Sequence, residues 1–70
     1  MQMDRKMILD MYGYDKDRLI REKERKEITS ISRSQAWKLE QENRFPKRKS
    51  LGSSSCAWLL SDLLLWCHSV

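Results

Sequence analysis

Met3, Met7, Ile8, Met11 and Tyr12 form an apolar stripe at helical spacing, followed by Gly13, a residue suited to a left-handed helix stop. The pattern predicts a short amphipathic helix, stable only if its stripe docks on something; otherwise the segment is a frayed N-terminal extension. Leu19 and Ile20 follow a polar run and fit either a short strand or the start of a helix. Arg21 to Thr29 is helix-forming, with Glu22–Lys26 and Lys23–Glu27 as i,i+4 pairs and Ile28 and Ile31 as apolar anchors. The Asp15/Asp17 pair reads as part of a solvated segment.

The stretch Ile31–Leu39 predicts a second helix. Ser32 and Gln35 have the spacing of a capping box, and Ile31 and Ala36 that of a hydrophobic staple. The helix starts at Arg33, turns Ala36 and Leu39 inward and Ser34, Lys38, Gln41 and Glu42 outward, and ends near Glu42. Asn43 and Pro46 block its continuation. Two helices joined by a Thr-Ser-Ile-Ser turn describe a helix-turn-helix, although helical hairpins without DNA affinity share the pattern. Beyond Pro46, Lys47–Leu51 and Ser54–Leu60 flank Gly52-Ser53, which suits a type II′ hairpin turn. Ser61 then caps a C-terminal helix from Asp62, with Leu60 and Leu65 at its staple positions. Phe45, Leu51 and Trp58 are the expected core of this region. The expectation is a mainly α fold with a small β-hairpin, arranged as an N-terminal extension over residues 1–17 and a winged helix-turn-helix domain over residues 18–70.

Length narrows the function classes. Seventy residues make one small domain that buries only about 60% of its unfolded surface, excluding barrels, doubly wound sheets and multidomain enzymes. Charge then favours one surface. Residues 1–27 are nearly balanced, whereas residues 28–50 carry Arg33, Lys38, Arg44, Lys47, Arg48 and Lys49 against only Glu40 and Glu42. Such a basic middle is the footprint of a nucleic-acid binder or an ordinary solvated surface. Cys56 and Cys67 lack metal spacing, and they read as small hydrophobes in a reducing compartment. The charged N-terminus predicts no signal peptide, and the Cys56–Cys67 stretch is too short and too interrupted to span a membrane. One histidine, His68, and no glycine-rich phosphate loop leave no catalytic constellation, so neither an enzyme nor a cofactor is expected.

Several of these motifs occur together in one known family. The segments Ser32-Arg33-Ser34-Gln35-Ala36-Trp37-Lys38-Leu39, Asn43-Arg44-Phe45-Pro46-Lys47, Leu51-Gly52, Trp58-Leu59, and then Ser61 and Trp66, resemble the AlpA family of small prophage transcriptional regulators in order and spacing. The resemblance covers roughly residues 18–67. It implies an excisionase-like, MerR-related winged helix-turn-helix, double-stranded DNA as partner, and a cytoplasmic, nucleoid-associated place in a bacterium. Some relatives act as excisionases, so an accessory factor for a phage integrase is an alternative. Departures from the pattern carry expectations of their own. Ser30 and Asn43 replace turn glycines, and Ser54 replaces a wing arginine. Glu22 and Arg25 stand at usually apolar positions, which predicts a poor packing face for the first helix of the pair. Leu60 and Leu64 stand where relatives carry charge.

The candidate DNA contacts follow. Arg33 reaches a guanine edge or a phosphate, and Ser34 and Lys38 share its outward face. Gln35 reads adenine unless capping occupies it. Trp37 packs or touches a base. Arg44, Lys47, Arg48 and Lys49 hold phosphates and so position more than they specify. The last helix is apolar on more than one face, so Leu60, Leu64 and Leu65 predict an exposed interface for a second copy or a protein partner. That interface would allow a third reading, an interaction subunit that binds no DNA. The competing cover for these leucines is the Met3–Tyr12 stripe folding back.

Overall fold

A computed structural model describes residues 3–69; residues 1, 2 and 70, at the outer ends of the two expected segments, lie outside it. The elements run α1 (Arg5–Met11), β1 (Leu19–Ile20), α2 (Glu22–Thr29), α3 (Arg33–Gln41), β2 (Lys49–Ser50), β3 (Cys56–Leu59) and α4 (Leu60–Ser69). A helix-turn-helix is therefore followed by a hairpin and a closing helix, the arrangement of a winged helix-turn-helix type fold. The strands form one antiparallel sheet in the order β1-β3-β2. Leu19 pairs with Leu59 and Ile20 with Trp58, which makes β1 a strand and not the start of α2.

Local chemistry sets each helix boundary. Asp4 caps α1 by accepting from the Met7 N–H at 2.8 Å. Gly13, at φ 83°, ends that helix: its N–H bonds Asp10 O and the Tyr14 N–H bonds Leu9 O. Asn43, at φ 60°, ends α3 in the same way, with its N–H on Glu40 O and the Arg44 N–H on Leu39 O. Ser30, at φ 62°, closes α2 by donating to Lys26 O.

The start of α4 departs from the expected cap. The helix begins at Leu60, directly out of β3, and Ser61 lies inside it fully buried. Its first donors are satisfied from the segment that leads into β1: the Leu60 N–H bonds Arg18 O at 2.8 Å, and the Ser61 N–H bonds Asp17 Oδ1 at 3.0 Å. The Ser61 hydroxyl also donates to Asp17 Oδ2 at 2.5 Å. Asp17 is thus a cap supplied from far along the chain, not a solvated carboxylate.

The core joins Ile8 and Leu9 of α1, Ile20, Ala36, Phe45, Trp58, and Leu60, Leu63 and Leu64 of α4. Phe45 lies edge-on to Trp58 at 6.5 Å and to Trp66 at 4.9 Å. Both indoles grip the strand-side approach: Trp58 Nε1 donates to Pro46 O and Trp66 Nε1 to Arg44 O.

Five expectations are corrected by this packing. Leu60 and Leu64 are fully buried or nearly so, and Leu65 is partly buried against the core; α1 packs on α4, so Leu60 and Leu64 form no exposed patch. The buried face of α1 is Ile8 and Leu9, while Met7, Met11 and Tyr12 remain exposed. Leu51 is exposed because Lys49–Ser50 pairs with Cys56–Ala57 and leaves a loop over residues 51–55, closed by the Leu51 N–H on Ser55 O. Gly52 lacks the positive φ that a type II′ turn requires at that position. Arg25, finally, is no defect in the α2 face: it is wholly buried and fully engaged.

Candidate nucleic-acid interface

The Ser32 side chain accepts from the Gln35 N–H at 3.2 Å and fixes the first turn of α3. Buried Ala36 and half-buried Leu39 hold the opposite face of the helix to the core, so Arg33, Ser34, Gln35, Trp37 and Lys38 all lie exposed. The return half of the capping box is not made among the described residues, which leaves the Gln35 amide free for other partners.

A cleft of about 1020 Å³ opens beside this turn. One wall is the start of α2 with Arg21, Glu22 and Lys23; another is Arg33, Ser34 and Trp37; the third is the hairpin with Arg48, Ser54 and Ser55. Four of the sequence candidates, Arg33, Ser34, Trp37 and Arg48, therefore meet in one place. Arg44 lies elsewhere, in a groove with Phe45, Pro46 and Trp66, and Gln35, Lys38, Lys47 and Lys49 are exposed outside the cleft lining.

Ion pairing separates the cations further. Carboxylates hold Arg5 (Asp62), Arg18 (Glu24), Arg25 (Glu22), Arg44 (Glu42, 3.5 Å) and Arg48 (Glu40, 3.2 Å). Among the described residues only Arg21 and Arg33 are arginines without such a partner, and both line the cleft. Arg21 and Lys23 escaped the sequence reading because their stretch is charge-balanced. The signal that could have found them is β1, which turns the start of α2 toward the hairpin. Trp37 is half exposed at 54%, so its ring is not part of the core.

Among the described residues no group of three or more His, Cys, Asp or Glu could hold a metal ion. Burial pushes the Cys67 thiol up, which favours its protonated form near neutrality. No described helix is long and apolar enough to cross a membrane.

No curated protein and no solved structure matches the chain. Residues 18–70 match the family model described as prophage CP4-57 regulatory protein (AlpA), spanning β1 through the end of α4. The chain belongs to the AlpA family of prophage regulatory proteins.

Proposed function

We propose that the chain is a sequence-specific DNA-binding transcriptional regulator of a prophage or integrated element, and that it holds double-stranded DNA against α3 and the adjoining cleft. One observation carries this reading: the only two unpaired arginines among the described residues, Arg21 and Arg33, share a cleft with an exposed tryptophan and the hydroxyl-rich first turn of α3. A helix-turn-helix reads bases with the N-terminal residues of its second helix, where Arg33 and Ser34 stand. Arg33 can fork onto a guanine edge, Gln35 is free to pair with adenine, and the Trp37 ring offers an apolar surface to a thymine methyl group. Arg21 and Lys23 sit on the opposite wall, suited to the phosphates of the backbone. Lys38, Lys47 and Lys49 add phosphate contacts, while Arg44 and Arg48 contribute less because Glu42 and Glu40 already hold them. Burial of Leu60 and Leu64 weighs against an interaction subunit that acts through those leucines without DNA.

Selection of binding sites from a random duplex library, followed by Arg33→Ala, tests the reading. The variant is expected to lose about 1–3 kcal/mol on the selected site and to relax its preference at one position. Equal losses on every sequence would reduce Arg33 to a phosphate clamp, and failure to enrich any site would refute sequence-specific binding.

A further inference from the structure

Arg25 is the largest fully buried side chain among the described residues, a cation at 0% exposure in a domain with little core to spare. A buried charge contributes little to stability compared with an apolar residue of similar volume. What the guanidinium adds is directed bonds, and these reach three separate parts of the DNA-facing structure. Its Nε and Nη2 fork onto the Glu22 carboxylate at the start of α2. Its Nη1 donates to Thr29 Oγ1 at 3.1 Å and to the Ile31 carbonyl at 2.8 Å. Its guanidinium carbon lies 5.7 Å from the centre of the Trp58 ring.

Each partner bears on the cleft. Glu22 and Trp58 line it directly, on α2 and on β3. Ile31 is the last residue before Ser32, the cap of α3, so its carbonyl is a handle on the point where the recognition helix begins. Trp58 also holds the Pro46 carbonyl, ahead of β2 and the wing loop. The Thr29 hydroxyl donates back to Arg25 O at 2.9 Å, which locks the pair at the end of α2. A bidentate arginine fork fixes orientation as well as distance. Base readout requires its side chains to be held within roughly 0.5 Å and 10–20° of the productive geometry.

We propose that Arg25 is a positioning residue that sets the angle of α3 against α2 and the wing, and thereby the DNA sequence this chain prefers. The inference rests on the DNA-binding reading above. Phosphate contacts tolerate small rotations of the helix and base contacts do not, so loss of Arg25 separates the two kinds of binding.

The test uses the full chain with Arg25→Met, which keeps length and apolar volume, and Arg25→Lys, which keeps charge without the fork. Affinity is measured on the selected duplex and on a random duplex at two salt concentrations, beside circular dichroism and thermal melts. The ratio of selected to random affinity is expected to fall roughly tenfold in both variants, the scale of one misplaced base contact. Affinity for random duplex and its salt slope are expected to stay at the wild-type value. A purely structural role would lower the melting temperature and leave the ratio unchanged in the folded fraction; that result overturns the inference. Where the Arg25 variants fail to fold, Thr29→Val, a volume-conserving change outside the cleft lining that removes the hydroxyl Arg25 bonds, reads the same ratio. A drop there supports positioning and an unchanged ratio overturns it. A wild-type chain that does not discriminate the two duplexes would remove the regulatory reading itself, whereas equal ratios in wild type and variants remove only the role of Arg25.

Discussion

Ser30 and Asn43 each take a left-handed backbone, at φ 62° and 60°, to end the two helices of the helix-turn-helix. Such a conformation costs a β-carbon-bearing residue about 1–2 kcal/mol, less for Asn, whose side chain tolerates it. Ser30→Gly is therefore expected to stabilise the fold by about 1 kcal/mol and raise its melting temperature by roughly 4–8 °C. Asn43→Gly should give a smaller gain, and a thermal melt of each variant decides. Both turns were legible in the sequence, because a polar residue standing where glycine is expected still announces the turn. Asp17 was not legible, since its partner Ser61 lies far along the chain. Desolvation raises the Asp17 pKa, but hydrogen bonds from the Ser61 hydroxyl and N–H and the Arg18 N–H, with Arg5 nearby, outweigh it and hold the carboxyl below its usual value. A depressed folded-state pKa contributes stability that is present above the unfolded value, about pH 4, and lost as pH falls through the folded one. Asp17→Asn should accordingly flatten the loss of melting temperature below about pH 4; an unchanged acid profile would assign that loss to other carboxylates.

Helix α1 shows what periodicity can and cannot say at the scale of an element. The spacing gave a helix and Gly13 its stop, but a short helix presents more than one apolar row, and only the neighbour decides which is buried. That neighbour is α4, and it takes Ile8 and Leu9. Arg5 reinforces the contact, donating to Ser61 Oγ at 2.7 Å and pairing with Asp62 at 2.5 Å. The helix lies before the family match at residues 18–70, yet it covers the α4 leucines of that region. Ile8→Ala should cost about 2–4 kcal/mol, whereas Met11→Ala, at an exposed position, should stay within about 0.5 kcal/mol. Urea unfolding of both variants separates the rows, and equal effects would contradict this packing. The hairpin was legible as a hairpin but not in its turn, because Gly52-Ser53 matched a tight turn in composition while pairing at Lys49 and Ser50 required a longer loop.

Charge behaves at the scale of the whole molecule in a way that residue counts miss. The basic middle of the chain was visible, but Glu40 and Glu42 draw off two of its arginines, and β1 brings Arg21 and Lys23 in from a neutral stretch to replace them. Sequence could place Arg33, Ser34 and Trp37 on one helical turn; the opposite wall of the cleft exists only after folding. A wild-type titration of random duplex over a range of salt concentrations tests DNA binding most directly. Roughly five phosphate contacts give a log–log slope of about −4 to −5, and replacing Arg21 and Lys23 together by glutamine should reduce its magnitude by about 2. A slope near zero, or one that the double substitution leaves unchanged, would contradict the account of this cleft as the surface that holds DNA.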